Sequence, residues 1–574
     1  MQTVSENVIN ARLCARMFLA GARNLEKKKE WINELNVFPV PDGDTGTNMT
    51  MTIMSAADEV SALEEPTMKA VCKAMSSGSL RGARGNSGVI LSQLLRGFSK
   101  AARDQKELDV PLLRIAFEKA VETAYKAVMK PKEGTILTVA RGVSEKANEL
   151  YEQNPQIELE AFLEGAIRYG EEVLAQTPEM LPVLKEAGVV DSGGQGLIEI
   201  LKGAFDLFAG KVNEAEEEQE EETAVPAGYC VSFTLICDKD MLADAGKAMT
   251  AFLKTDTSAR QACVMGEDSQ IRVHAHVMHP GLLIERALEL GKIRDIRLGD
   301  MESEGCCGND IADSSVMESA DDGAGDNEAS FDAESALSQE EIPAAQRKEV
   351  GFVAVAAGEG LCRIFRELGT DCMIEGGQTM NPSTEDVINA IHAANAQTVF
   401  VFPNNKNIIL AASQAQTMIK DVKVIVIPTK TVPQGITALI SYTPDMSPEE
   451  NEKVMYEEIS KIQTCSITYA VRDTHIAGKE IHEGDIMGVG DKGILSVSKD
   501  IMETAVEATK EMISEDSELI SIYYGEDVRP EDAQALAYRI NSACPECEVE
   551  LNEGGQPVYY YIISVEYDPE RYEF

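Results

Sequence analysis

Seven glutamates fall within the nine residues Glu214-Ala-Glu-Glu-Glu-Gln-Glu-Glu-Glu222, and no packed core can run through such a segment. Blocks of like charge repel one another and stay solvated, so the chain has to fold in separate pieces on either side. A second tract, about residues 302–347, is acidic and rich in Ser and Ala. It has too little apolar content to offset the entropy of ordering. A length of 574 residues already calls for about three to four cores. The two tracts divide the chain into a domain at 1–210, a linker at 211–227, a domain at 228–301, a linker at 302–348 and a region at 349–574 that splits near 464.

Charge then narrows the classes of partner. Lys plus Arg number 52 and Asp plus Glu 97, so the net charge is 52 − 97 = −45. A surface of that sign repels nucleic acid and anionic lipid, which argues against either as a partner. It does not exclude ATP, whose phosphates are screened locally by metal and basic side chains. Arg12, Arg16 and Arg23 interrupt any apolar leader, and no apolar run approaches the ~18 residues of a membrane span. The twelve cysteines show no compact disulfide pattern. Reduced thiols in a cytoplasmic protein are the expectation.

Helical spacing runs through residues 6–35, 66–77, 86–103, 110–129, 136–152, 158–176 and 195–209, broken by glycine-rich loops. The expected fold class is therefore multidomain α plus α/β, opening with an all-α bundle. The segment 228–301 reads as a small α/β domain with strands at Tyr229–Cys237 and Ile271–Val277 and a helix at Leu282–Leu290. Beyond 349, apolar strands at 351–357, 398–403 and 422–428 alternate with helices, the pattern of a parallel sheet. Strands at 466–471, 519–524 and 559–566 suggest a second lobe.

Four loops carry the chemistry. In Asn36-Val-Phe-Pro-Val-Pro-Asp-Gly-Asp-Thr-Gly-Thr-Asn-Met49, Asp42 and Asp44 are hard oxygen donors two residues apart, suited to magnesium beside phosphate. Asn36 is a weaker, neutral ligand candidate. Thr45 and Asn48 offer hydrogen bonds to phosphate, and Gly46 lets backbone N–H groups face it. The run Ser77-Gly-Ser-Leu-Arg-Gly-Ala-Arg-Gly-Asn-Ser-Gly88 opens a helix, which makes Gly85, Asn86, Ser87 and Gly88 phosphate candidates. Arg81 and Arg84 either neutralise phosphate or serve the surface. Lys132-Glu-Gly-Thr-Ile136 contributes Thr135. Val190-Asp-Ser-Gly-Gly-Gln-Gly196 contributes Asp191 and Gly193, with Asp191 equally readable as a helix cap. There is no G-x-x-x-x-G-K-[ST], so a P-loop kinase is unsupported.

Together these segments resemble the nucleotide-binding domain of dihydroxyacetone kinases, and the first string is similar to the fatty-acid kinase branch. Gly376–Thr384, Phe402–Asn407 and Pro428–Gly435 resemble the C-terminal region of fatty-acid kinases, which is itself similar in fold to DegV-like lipid-binding proteins. The resemblance implies an ATP- and Mg2+-dependent kinase subunit that is dimeric. A separate fatty-acid-binding DegV-type protein would present the acyl carboxylate, and the product would be an acyl phosphate. It also implies that the Asp191 loop closes over the nucleotide. Dihydroxyacetone kinases usually carry a third aspartate upstream of the pair, where this chain has Asn36. Two other readings stay open: a dihydroxyacetone-type (glycerone) kinase subunit, and a non-catalytic nucleotide-sensing or lipid-binding scaffold.

Three of the six histidines, His274, His276 and His279, cluster in the middle segment. On a strand His274 and His276 share a face. With Cys230 on the neighbouring strand they form a candidate zinc set, and fatty-acid kinases carry a similar Cys and His-x-His set. The same pair could instead be catalytic, orienting the carboxylate or the transferred phosphoryl group, or could line a polar strand face. His279 reads as a loop residue. Cys306-Cys307 borders the low-complexity tract and is discounted. Cys544-Pro-Glu-Cys547 lacks a second pair for zinc and reads as structural.

Overall fold

The computed structural model describes residues 7–37, 43–128, 130–211, 229–236, 260–267, 270–277, 280–300, 347–377, 380–470, 474–476, 479–491 and 493–567. These fall into two compact units, one spanning Met1–Lys211 with Gln339–Phe574 and the other Val212–Ser338. Asp42, His279 and Cys306-Cys307 lie outside the described residues, as do the side chains of Cys230, His274 and His276. No helix among the described residues is long and apolar enough to cross a membrane.

The N-terminal half of the first unit is a helical barrel. Its helices are α1 (Ala11–Lys27), α2 (Lys29–Glu34), α3 (Thr45–Ser61), α4 (Met68–Arg81), α5 (Gly85–Ala102), α6 (Val110–Ala127), α7 (Ile136–Gln153), α8 (Leu159–Met180), α9 (Pro182–Ala187) and α10 (Ser192–Phe208). Two short strands, β1 (Ile9–Asn10) and β2 (Glu107–Leu108), pair antiparallel just before α1 and α6. Side-chain caps start several helices: Asn10 on α1, Thr67 on α4, Asp109 on α6 and Asp191 on α10. Such a cap satisfies an N–H group that has no partner within the helix. Helix α3 lies outside the helical spacing visible in the sequence. Its Thr-rich opening hides an apolar face of Met49, Ile53, Ala56, Ala57 and Val60, all buried.

One continuous apolar core holds the barrel together, with Leu25, Ile32, Met49, Ile53 and Phe162 wholly buried. Each such side chain stabilises the fold by roughly 1.5–3 kcal/mol on transfer from water. An apolar cavity of about 180 Å³ reaches into the core, lined by residues such as Phe18, Leu91, Leu94, Phe117 and Leu163. Helices α1 and α10 meet at glycines. A Cβ at Gly203 would lie 2.7 Å from the Ala20 carbonyl oxygen and 3.0 Å from Gly21 Cα, so the two backbones touch.

The second unit is an antiparallel sheet of β3 (Tyr229–Ile236), β4 (Arg260–Glu267), β5 (Gln270–Val277) and β6 (Lys292–Asp300) in the order β4-β5-β3-β6, with a helix at Pro280–Leu290. Strands β4 and β6 add to the two strands that the sequence pattern predicts. Val231, Phe233 and Leu235 alternate into the core together with Val273. Register sets Cys230 opposite His276, and Ser232 opposite His274. It also sets Cys263 opposite His274.

The C-terminal half of the first unit holds two large sheets and a two-stranded one that pairs Thr474–Ile476 with Lys479–Ile481. Strands β7 (Lys348–Ala356), β8 (Cys372–Glu375), β9 (Ala396–Phe402) and β10 (Lys423–Val426) form a parallel sheet in the order β10-β9-β7-β8. The other large sheet has six strands, in the order 493–498, 486–490, 462–469, 561–567, 517–524 and 548–553; all its pairings are antiparallel except the last. Cys544 and Cys547 are buried in the core beneath it without a disulfide, and Cys547 Sγ donates to the Ser517 carbonyl at 3.5 Å.

Candidate functional site

Helix starts gather at one end of the barrel. Asn48, in the first turn of α3, lies against Gly85 of α5; a Cβ there would sit 2.6 Å from Asn48 Nδ2. Met49 of α3 packs on Gly196 of α10, where a Cβ would lie 2.8 Å from its sulfur. Gly193 of α10 adjoins Ile136 of α7, 3.3 Å from that side chain by the same measure. The four loops singled out in the sequence therefore meet through the first turns of α3, α5, α7 and α10. The positive ends of four helix dipoles favour an anion at such a place.

Each loop is shaped differently. Asp44 precedes α3 and makes no side-chain cap. Asn33 of α2 braces this start. Its Oδ1 accepts the Thr47 N–H at 3.0 Å and its Nδ2 donates to Thr47 Oγ1 at 3.0 Å. Asn36 is buried and its N–H donates to the Asn33 carbonyl at 3.1 Å. Thr45 and Asn48 are buried as well. At Gly46 any side chain would strike the Lys29 carbonyl on α2. Close packing of two helices accounts for this glycine, where the sequence suggests an approach to ligand.

Arg84 precedes α5 and also makes no side-chain cap. Gly85 has φ +58°, a conformation costly to other residues. Asn86 and Ser87 are half-buried, and Gly88 packs under Asn48 and Thr52. The two arginines are engaged by groups of the protein itself. Arg81 pairs with Glu59 and donates to Ser77 Oγ at 2.7 Å. Arg84 donates to the Asn381 carbonyl at 2.8 Å and lies 3.6 Å from Asp386.

At α10 the acid faces inward. Asp191 is 5% exposed and accepts the Gly194 N–H at 2.7 Å. It also accepts a backbone hydrogen bond from Ile136, so one carboxylate caps α10 and ties down α7. Burial pushes its pKa up to about 7, against the pull of those two N–H groups. Of the two roles open to it in the sequence, the geometry is that of a cap, with the carboxylate already committed. Thr135 precedes α7 and donates to the Lys132 carbonyl at 2.9 Å, without capping the helix.

One residue at this site carries no local signal in the sequence. Within the segment Gly376–Thr384, which the resemblance places only in the C-terminal region, Asn381 and Thr384 dock on the helix starts. Asn381 Nδ2 donates to Asp44 Oδ2 at 2.5 Å and approaches Asn48 Oδ1 at 3.5 Å. The Thr384 N–H donates to the Ala83 carbonyl at 3.0 Å, and Asn86 Nδ2 donates to Asn407 Oδ1 at 3.1 Å. Gln93 donates to Gln414 at 2.9 Å, and Gln414 donates to the Leu80 carbonyl at 2.8 Å. Asn and Gln side chains thus seat the C-terminal module beside Asp44.

The donors around Asp44 are carboxylate and amide oxygens, the chemistry that magnesium prefers. Among the described residues no group of three or more His, Cys, Asp or Glu could hold a metal by itself. A cation here would therefore rely on amide oxygens and on phosphate besides the acidic loop.

Comparisons with known proteins cover most of the chain. A family model described as DAK2 domain matches residues 39–206. A FakA-like fatty acid kinase middle-domain model matches 226–305, and a FakA-like fatty acid kinase C-terminal model matches 351–566. Protein YloV of Bacillus subtilis (strain 168) is 38% identical over 582 residues, covering 98% of this chain and 100% of that protein. An uncharacterized protein of Staphylococcus haemolyticus (strain JCSC1435) is 36% identical, covering 97% of this chain and 99% of that one. Solved structures are more distant. The DegV family protein Cg2579 from Corynebacterium glutamicum has a TM-score of 0.30 at 13% identity, over 38% of this chain and 98% of that one. The dihydroxyacetone kinase from C. freundii, in complex with AMP-PNP and Mg2+, has a TM-score of 0.28 at 15% identity, over 36% of each chain. Full-length identity to YloV and three successive domain matches place the chain in the FakA-like fatty acid kinase family.

Proposed function

We propose that the chain is the ATP-binding subunit of a kinase that phosphorylates a fatty-acid carboxylate presented by a separate DegV-type lipid-binding protein. The observation that carries this reading is the convergence of helix starts on Asp44, with α5 opening on N–H groups that no side chain caps. The family supports it too, since two of its domain models are named for a fatty acid kinase.

Asp42 and Asp44 are the proposed magnesium ligands, with Asn36 close by in sequence. Magnesium bound with the nucleotide would neutralise charge on the phosphate oxygens. Thr45, Asn48, Gly85, Asn86, Ser87 and Gly88 would bind and orient the phosphates through N–H, hydroxyl and amide groups. In the transfer, a carboxylate oxygen forms a bond to the γ-phosphorus while the bond to the ADP oxygen breaks. The acceptor is already ionised near neutral pH, so no base has to remove a proton. Positioning and charge neutralisation are the demands left for the protein. Cys230, His274 and His276 are proposed as a zinc set that holds the middle sheet, with His274 and His276 as the alternative contacts to the transferred group. A homodimer is the proposed assembly.

A purified sample given ATP, magnesium, a fatty acid and a DegV-type partner should release ADP only when all are present. ADP release with dihydroxyacetone alone would point to a glycerone kinase subunit. Nucleotide binding with no ADP release under any of these conditions would point to a scaffold.

A further inference from the structure

Asn381 is 5% exposed, and its amide is half satisfied. Its Nδ2 reaches Asp44 Oδ2 and faces Asn48 Oδ1, while its Oδ1 is buried with no donor. A buried acceptor without a donor is costly, and such groups are rare. The residue is held where it is from outside the amide. Its own carbonyl accepts from Arg84, and the next residues are pinned by Pro382, by the Ser383–Asp386 capping box and by the Thr384 to Ala83 hydrogen bond. The backbone thus fixes the amide against Asp44 whether or not both of its ends are satisfied.

The amide nitrogen and oxygen differ only by a half turn about the last side-chain bond. As it stands, the N–H group lends a partial positive charge to Asp44. Turned over, Oδ1 faces the Asp44 carboxylate, with Asn48 Oδ1 beside it. Three oxygens so close repel unless a cation lies among them, and together they make a hard-donor cluster suited to Mg2+.

We infer that Asn381, carried by the C-terminal module, is an oxygen ligand to the divalent cation that accompanies the nucleotide at Asp44. This rests on the nucleotide reading given above. It makes the site a joint product of two modules: the barrel supplies the carboxylate, and the docked α/β module supplies an amide oxygen. Cation binding and module docking are then linked, because each favours the other.

The test uses the full chain saturated with a non-hydrolysable ATP analogue, titrated with Mn2+ and followed by electron paramagnetic resonance of the free ion. Asn381→Ala should weaken Mn2+ binding about tenfold. Asn381→Asp should bind Mn2+ at least as tightly as the unaltered chain, because it restores an oxygen donor. A purely structural amide predicts the reverse, since a carboxylate beside Asp44 would repel it and push the module away. Unchanged affinity in Asn381→Ala, or a loss in Asn381→Asp as large as in Asn381→Ala, overturns the assignment. Either result leaves the nucleotide reading standing if Asp44→Ala still loses Mn2+. No Mn2+ uptake by the unaltered chain with the analogue overturns both.

Discussion

Helices α5 and α10 begin almost alike in sequence, with Gly85-Asn-Ser-Gly88 in one and Ser192-Gly-Gly-Gln-Gly196 in the other. Their structures part at the preceding residue. Arg84 turns its side chain to the Asn381 carbonyl and leaves the start of α5 uncapped, whereas Asp191 folds back and seals the start of α10. A glycine-rich helix start thus serves two purposes. It can keep N–H groups available to an anion, or it can let helices pack tightly while a buried acid consumes those groups. Where the preceding side chain turns, more than the glycines, separates the two.

The sharpest way to break this comparison is to remove one acid from each kind of start. Asp44→Ala should lower phosphoryl transfer about a hundredfold or more while the melting temperature holds, since only the metal's share of charge stabilisation is lost. Asp191→Ala should do the opposite. It should cost roughly 2–3 kcal/mol in denaturant unfolding, because two helices lose N–H partners in a buried place, with nucleotide affinity unchanged. If nucleotide affinity collapses in Asp191→Ala while stability holds, the distinction between open and sealed starts is wrong.

Titration sharpens the sealed side. Burial raises the Asp191 pKa from 3.8 to about 7. Over that interval the folded chain keeps a proton that the unfolded chain has released. The contribution of Asp191 to stability is therefore greatest below about pH 4 and declines as pH rises to about 7. Thermal melts across this window should show a flatter slope for Asp191→Asn than for the unaltered chain. On the open side, Gly85→Ala should cost about 1–2 kcal/mol from its positive φ and also weaken nucleotide binding by displacing Asn48. The smallest effect is expected at Thr67, which caps α4 and takes no part in the site. Thr67→Ala should cost about 1 kcal/mol and leave nucleotide affinity alone.

Much of this is legible in the residues. The barrel's long helices other than α3 follow apolar spacing, and the alternation after residue 349 announces the parallel sheet. What the sequence hides is long-range. Helix α3 is masked by its own polar opening, because Thr45 to Thr52 read as polar until packing shows Met49 and Ile53 facing the core. Strands β4 and β6 stay hidden because their apolar alternation is irregular, and pairing with neighbours decides their state. Asp191 can be narrowed only to cap or contact, since its burial depends on α7. Asn381 lies 337 residues from Asp44 in sequence, and nothing local to Met380-Asn-Pro-Ser383 signals the carboxylate it meets. Its segment draws notice by resemblance, but its partner is visible only in three dimensions.

The glycine crossing of the first and tenth helices carries a consequence for biogenesis. Ring closure joins Gly21 to Gly203, so nearly the whole barrel has to leave the ribosome before its opening helix meets α10. Contacts of such sequence separation form late and slowly. During synthesis the side of α1 that faces α10 waits uncovered, and apolar surface left exposed in this way favours aggregation until α10 emerges.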